Sequence, residues 1–589
     1  MSVHRLVALA SLVPFLWLAP VPAHACGGTF CDNQPDPMPV DQTGEDILFV
    51  LDGSTVEVHI RIEYTGEAER FAWVVPLQAI PEDVTIGSEP LFTALSNAVA
   101  PDWRTKTEYD CPEDPGEDDG DTNITTLGFV PSSDLSAASE PDVVFQETVG
   151  AFEVVVLQGG TAAEVIDFLD ANDYAQDPDS EPILQEYLDE GFLFAAIKLT
   201  ARAEVGEIHP LVFRFPGNEP CVPLRLTRIA AEDDMGVRTY FLGQERWVPS
   251  NYRHVELNPL AYDWQLTGPA RYLELLSMAI DEAGGRGFVT EYAGPSDVVQ
   301  TWTVYSPDWN EAAFIGVHPM VALDIIAQQG LGSHPLIASL LMEFIPPPDG
   351  VDPQDFWNLF GVSEEDFDLE AWDDVAFAAA LVERIIEPGM HAANLLDAWP
   401  KLTRMNTVIS PHEMLVDPVF HTNASIPDVN RASVTTIQQV MCGGDRLYHV
   451  DVSGQDMPVC VPEYEAYPGW ENMPASLWSE QIPMVGAPQI VYDNRDAVAS
   501  AYEIYQAGVQ CEIGDGDGDG TGDGGPGDGD GGDPSDSDGT SGKLPADMMS
   551  DSACACAVDR GAAPVAVSLG LLVLGLIGPW RRRNRVSSV

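Results

Sequence analysis

The chain has 589 residues, 94 of them Asp or Glu against 27 Lys or Arg, for a formal net charge of −67. Lysine stands only at Lys106, Lys198, Lys401 and Lys543, no basic patch for phosphate binding is visible ahead of the C-terminal arginines, and a surface of this sign repels nucleic acid and anionic lipid. Apolar residues make up 45 % of the chain, enough for a large core, and the length calls for two or three domains.

His4 and Arg5 precede the apolar run Leu6 to Leu18, and Ala23-His24-Ala25 supplies a small-x-small cleavage pattern before Cys26. Residues 1–25 therefore read as a secretory signal peptide. An uncut anchoring helix and a lipid on Cys26 are the alternatives.

Residues 26–265 read as a β-rich α+β domain. Ile47 to Leu51 and Val56 to Tyr64 alternate around Asp52-Gly53, which predicts a hairpin, and Phe71 to Pro76 follows as a third antiparallel strand. A sheet with one polar face suggests a sandwich-like start. His59 shares the polar register with Glu57, Arg61 and Glu63, which predicts a solvated strand face. Residues 112–139 are acidic and rich in Pro, Gly and Ser, and read as an insertion. Phe152 to Leu157 predicts a strand. Thr161 and Glu164 have capping-box spacing ahead of a helix. Ile183 to Leu188 continues as helix, Phe192 to Leu199 as a buried strand, and Leu211 to Phe215 and Val222 to Leu226 as further strands.

Residues 266–400 change to helical spacing, with apolar faces over Tyr272–Ala283, Val321–Ala327, Pro335–Phe344, Val375–Ile386 and Ala392–Trp399. Residues 401–512 read as a mixed, loop-rich region containing cysteines. Residues 513–553 hold nine aspartates between Gly514 and Gly542, which predicts a disordered, self-repelling Asp/Gly stalk. Asp515, Asp517 and Asp519 are candidates for weak calcium binding, but an EF-hand glutamate is replaced by Pro526. No other cofactor is evident.

Nine cysteines occur. In an exported chain they read first as disulfides, with Cys442–Cys460 and Cys26–Cys31 as the candidate pairs. A zinc site from these four lacks any C-x-x-C spacing. Nucleophile-elbow, P-loop and His-Glu-x-x-His motifs are absent from the sequence. His412, Glu413, Asp417 and His421 carry zinc-ligand chemistry, but Pro411 and Pro418 break the segment, and a surface loop is expected.

Residues 554–589 combine Cys554 and Cys556, an apolar run from Ala562 to Trp580, and the basic stop Arg581, Arg582, Arg583 and Arg585. The run is long enough for a transmembrane helix, with its basic end on the cytoplasmic side. This three-part order resembles the Myxo-CTERM sorting signal of myxobacterial surface proteins. The resemblance implies a sorting protease acting near the cysteines, a lipid on Cys554 or Cys556, and a final place at the cell surface. A type I membrane protein with an intact helix is the alternative.

Cys26-Gly27-Gly28-Thr29-Phe30-Cys31, Leu48 to Gly53, Phe71 to Leu77, Gly150 to Val154, Pro223 to Thr227 and Leu402-Thr403-Arg404 together resemble the DUF2330 family of exported bacterial proteins. The resemblance implies export and a Cys-Gly-Gly start. It brings no activity and no site residues. Two functions remain: a non-catalytic binding or envelope-structural ectodomain on a stalk, with an unknown extracellular ligand, and a surface-tethered hydrolase. A hydrolase would bring His412, Glu413 or His421 into a cleft with other titratable groups.

Overall fold

The computed structural model describes residues 29–511 except 31–40, 66–71, 110–141, 173, 175–179, 201–207, 349 and 510. The expected signal peptide, the acidic insertion, the stalk with Asp515, Asp517 and Asp519, and the sorting segment with Cys554, Cys556 and the arginines all lie outside the described residues. So do Cys26 and Cys31. Among the described residues, no helix is long and apolar enough to cross a membrane.

The fold is mixed α+β, with large sheets built from the N-terminal part. After β1 (Thr29–Phe30), strands β2 (Asp41–Asp52) and β3 (Thr55–Thr65) form the expected hairpin, with Gly53 taking the turn at φ 64°. β4 (Ala72–Leu77) does not extend that hairpin. It pairs with β1 and, across a second sheet, with β9 (Leu193–Leu199). Trp73, Val75 and Leu77 enter one core and Val74 enters another, so the strand is apolar on both faces because both are covered.

Next come β5 (Asp83–Ile86), α1 (Glu89–Val99), β6 (Trp103–Tyr109), β7 (Asp142–Val149) and β8 (Phe152–Gln158). α2 (Ala162–Ala171) starts on the expected capping box, Thr161 and Glu164 each satisfying the other's backbone N–H. α3 (Ser180–Glu190) and β10 (Leu211–Pro216) follow. The strand expected at 222–226 is instead the short helix α4 (Leu224–Thr227). Its apolar residues alternate, but Asp417 accepts from both the backbone N–H and the guanidinium of Arg225, and this tertiary anchor overrides the pattern.

β11 (Ala231–Gly243), β12 (Trp247–Pro249), β13 (Arg253–Leu257), α5 (Pro269–Glu282) and β14 (Gly287–Pro295) lead into the helical segment. There α6 (Pro319–Gln328), α7 (Ile337–Phe344), α8 (Pro353–Trp357) and α9 (Asp374–Leu381) pack around Phe314, Phe356 and Phe377, and α10 (Glu387–Ala398) follows. β15 (Lys401–Ile409) returns to the main sheet. The remainder is β16 (Phe420–Thr422), β17 (Val429–Asn430), β18 (Val434–Val440), β19 (Arg446–Val452), β20 (Gln455–Val461), β21 (Ser476–Gln481), β22 (Gln489–Asp493) and α11 (Arg495–Gly508).

The main sheet runs β22-β21-β13-β14-β15-β11-β2-β3-β10-β5, with β17 beside β14, and draws strands from residues 41–257, 287–295 and 401–493 alike. The five-stranded sheet runs β1-β4-β9-β8-β7. Ile47, Phe49, Val56, Val58 and Ile60 of the hairpin meet Trp73, Val75, Val154, Val156 and Ile197 of the smaller sheet in one core, which makes a sandwich. Each sheet is covered again on its far side. α2 and α3 pack on the smaller sheet through Val165, Leu169, Ile183 and Tyr187. On the hairpin's far side, Leu48 and Val50 meet Leu91, Phe92 and Leu95 of α1 and Ala392 and Leu396 of α10. The order of layers is helix, sheet, sheet, helix.

A separate sheet, β20-β19-β18-β6, carries α11, whose Tyr502 and Tyr505 hydroxyls donate to the carbonyls of Pro458 and Cys460. Cys460 is disulfide-bonded to Cys511, with a Cα–Cα distance of 5.7 Å, and not to Cys442. The register explains why. Cys460 stands opposite Leu447, which stands opposite Gln439, so the whole width of β19 separates Cys460 from the end of β18. Two strand spacings are about 9–10 Å, beyond the reach of a disulfide. Cys442 and Cys221 each belong to a disulfide of their own.

Candidate functional site

β3 alternates as expected, but its polar face is not solvated. Val56, Val58 and Ile60 fill the sandwich, while Glu57, His59 and Arg61 point to the side that α1 and α10 cover. His59 is 1 % exposed and Glu57 6 %. The covering helix comes from more than 300 residues later in the chain, which no local pattern in the sequence could announce.

α10 reaches that face through a break in the regular α-helical ladder. Val382–Ile386 widens into a π turn just before Pro388, whose ring lacks the N–H that an α-helical ladder would use. One residue on, a Cβ on Gly389 would sit 3.0 Å from the carbonyl oxygen of Val304 and 3.2 Å from the Trp309 ring, so glycine lets the helix close in. His391 then lies over β3.

Three side chains converge there. His59 Nε2 is 2.8 Å and His391 Nε2 2.6 Å from the same oxygen, Glu57 Oε1. The imidazoles stack, with centroids 5.9 Å apart and planes 7° from parallel. Arg214 Nε, from β10, is 3.4 Å from Glu57 Oε2. Burial alone would raise the Glu57 carboxyl, but the hydrogen bonds and charges of His391 and His59 outweigh it and hold the group well below the usual carboxylate range. Burial lowers His59, against the opposing pull of Glu57, so its ring is held toward the neutral form. A neutral ring donates through Nε2–H to Glu57 and leaves Nδ1 without a proton. That buried Nδ1 has no hydrogen-bond partner among the described residues.

The cluster opens on a cleft of about 370 Å³ between β5, β7, β10 and α10. His391 and Arg214 line it, together with the carboxylates of Asp83, Glu147, Glu383 and Glu387. Buried donors thus sit below an acidic rim. The arrangement can accept a cation or orient a polar ligand. Among the described residues no hydroxyl or thiol hydrogen-bonds to either histidine, whose Nε2 atoms both face Glu57.

The residues expected from sequence go elsewhere. Glu413 accepts from the Ser410 backbone N–H at 3.1 Å, His412 is exposed, and His421 Nδ1 lies 2.7 Å from Ser250 Oγ. Asp417 is buried against Arg225 Nε at 2.9 Å and the Tyr187 hydroxyl at 3.0 Å. The segment is no free surface loop. Met414 is in the core, and Asn251 and Tyr252 clamp the backbone at Asp417, Val419 and Val416. Asp-to-Arg and Tyr-to-backbone bonds across the fold override the two prolines that suggested exposure.

Among the described residues, the Glu57–His59–His391 cluster is the group whose donors approach closely enough to share an ion. Residues 20–305 match the family described as an uncharacterized protein conserved in bacteria, DUF2330. That match takes in β3 and Arg214 but stops before His391, so the cluster joins the matched segment to a helix outside it. No curated protein matches the chain. Among solved structures, baculovirus P35 is 13 % identical over 37 % of this chain and 77 % of its own, with a TM-score of 0.22. P35 in the caspase-8/P35 complex is 12 % identical over 36 % and 74 %, also at 0.22. At TM-scores this low the likeness carries nothing for the fold or function of this chain.

Proposed function

We propose that the protein is an exported, cell-surface-held binding protein without catalytic activity, and that its ligand enters the cleft over Glu57 and His391. The observation that carries this reading is the convergence of buried polar groups beneath an open, charged cleft. The signal-like residues 1–25, the aspartate-rich spacer and the Cys554-to-Arg585 tail support export and tethering, through a sorting protease and a membrane-inserted segment. Calcium on the spacer aspartates is a minor addition to this reading.

A tethered hydrolase is favoured by one contact, the Ser250–His421 pair. Among the described residues no carboxylate hydrogen-bonds to His421, so the orienting third member of a triad is missing. The test is hydrolysis of chromogenic ester, peptide and glycoside substrates by the wild-type chain and by Ser250→Ala. The binding reading expects no turnover that depends on Ser250. Turnover abolished by the substitution overturns it.

A further inference from the structure

Resting on the reading of the cleft as a ligand site, we infer that Glu57, His59 and His391 form a binding site for one divalent transition-metal ion, of which zinc fits best. Two imidazole nitrogens and one carboxylate oxygen lie within 4.8 Å of one another. Imidazole donors select zinc and its neighbours over calcium and magnesium, which take all-oxygen shells. Three protein ligands leave a fourth tetrahedral position, and His391, the most exposed member of the set, lines the cleft from which a ligand could fill it.

The geometry needs one small movement. Donors around a tetrahedral zinc stand about 3.3 Å apart for bonds of about 2.0–2.1 Å. Both nitrogens now sit closer than that to Glu57 Oε1, because they hydrogen-bond to it. A turn of the shared Glu57 carboxylate opens both contacts, and His391, whose side chain is 42 % exposed, can follow it while His59 stays fixed in the packed sheet. Metal binding also moves each ring proton to Nδ1, freeing the Nε2 lone pair. The Nδ1 of His59 then has no acceptor among the described residues, whereas zinc-bound histidines usually donate there. The site therefore binds more weakly than a closed structural zinc centre and exchanges its ion. The rim carboxylates of Glu147, Glu383 and Glu387 draw cations toward it.

The test uses the full chain, freed of metal with EDTA and kept in excess calcium so that exposed acidic groups are occupied. Zinc is titrated calorimetrically into wild type, His391→Ala and Glu57→Gln. Cobalt is added in parallel for its visible ligand-field spectrum. We expect one zinc per chain, with affinity lower by more than about 100-fold in His391→Ala, since loss of a mere outer-shell partner costs about 10- to 100-fold. The nitrogen-ligated cobalt spectrum should vanish with it. His391→Ala is the primary variant because a half-exposed side chain can be removed without collapsing the core, which its melting curve verifies. Zinc binding that is absent, or equal in wild type and His391→Ala, overturns the metal site while leaving the non-catalytic reading to the hydrolysis assay. Zinc-dependent turnover lost in His391→Ala keeps the metal site and overturns the non-catalytic reading.

Discussion

At the scale of single residues, the charges that matter are those the fold buries. Glu45, on β2, sits inside the sandwich with Oε2 unpartnered among the described residues. Burial first, and the neighbouring charge of Asp46 second, push its carboxyl up to about 8. The folded value lies above the unfolded one, so between about pH 4.5 and pH 8 the folded chain keeps a proton that the unfolded chain has lost. Stability from this group is present in acid and lost as pH rises through the window. Unfolding free energies of wild type and Glu45→Gln from urea denaturation should coincide near about pH 4 and separate by up to about 5 kcal/mol in favour of the variant above about pH 8. Curves that stay parallel across the range would contradict the assignment. Arg225 is the opposite case. It neutralises Asp417, whose side chain is 3 % exposed, so Arg225→Ala should cost about 3–5 kcal/mol in chemical denaturation, while a loss under about 1 kcal/mol would show the pair to be dispensable.

The candidate site was half legible from sequence. Glu57 and His59 stand at alternate positions of a well-patterned strand, and the register was readable. The strand face was assigned to solvent because burial by α10 depends on contacts across the whole fold. His391 carries no local signal, since it falls between the helical segments expected at Val375–Ile386 and Ala392–Trp399. His412 and His421 were conspicuous in sequence only because they are close together, and the structure gives them separate partners.

At the scale of elements, patterns that depend on near neighbours held. The hairpin turn and the capping box are both set within a few residues. The failures came where distant partners decide, as with β4, which is apolar on both faces, and α4, which Asp417 anchors. Cys442 with Cys460 is the same lesson, because proximity in sequence says nothing about an intervening strand. The Cys460–Cys511 bond closes a loop across 51 positions and staples α11 to the β20 edge. Replacing Cys460 by serine should lower stability by about 2–4 kcal/mol and speed hydrogen exchange over residues 495–508, relative to the main sheet. Unchanged exchange there would mean that Tyr502 and Tyr505 suffice to hold the helix.

At the scale of the molecule, the charge of −67 sets the behaviour. Self-repulsion on this scale opposes compaction, and salt shortens its range from about 30 Å at about 0.01 M to about 8 Å at about 0.15 M. The melting temperature should therefore climb across that interval. A flat or falling dependence would mean that the exposed ion pairs, which salt weakens, outweigh the net repulsion. Such a surface suits the proposed display on a tether, with the cleft over His391 left to recognise a ligand.

Display at the surface is the claim on which this picture depends, and intact mass spectrometry of the protein released from the cell exterior tests it most directly. The account predicts a chain that begins at Cys26 and ends near Cys554, carrying an added lipid mass. A chain that still holds residues 1–25, or that runs unmodified to Val589, would contradict it.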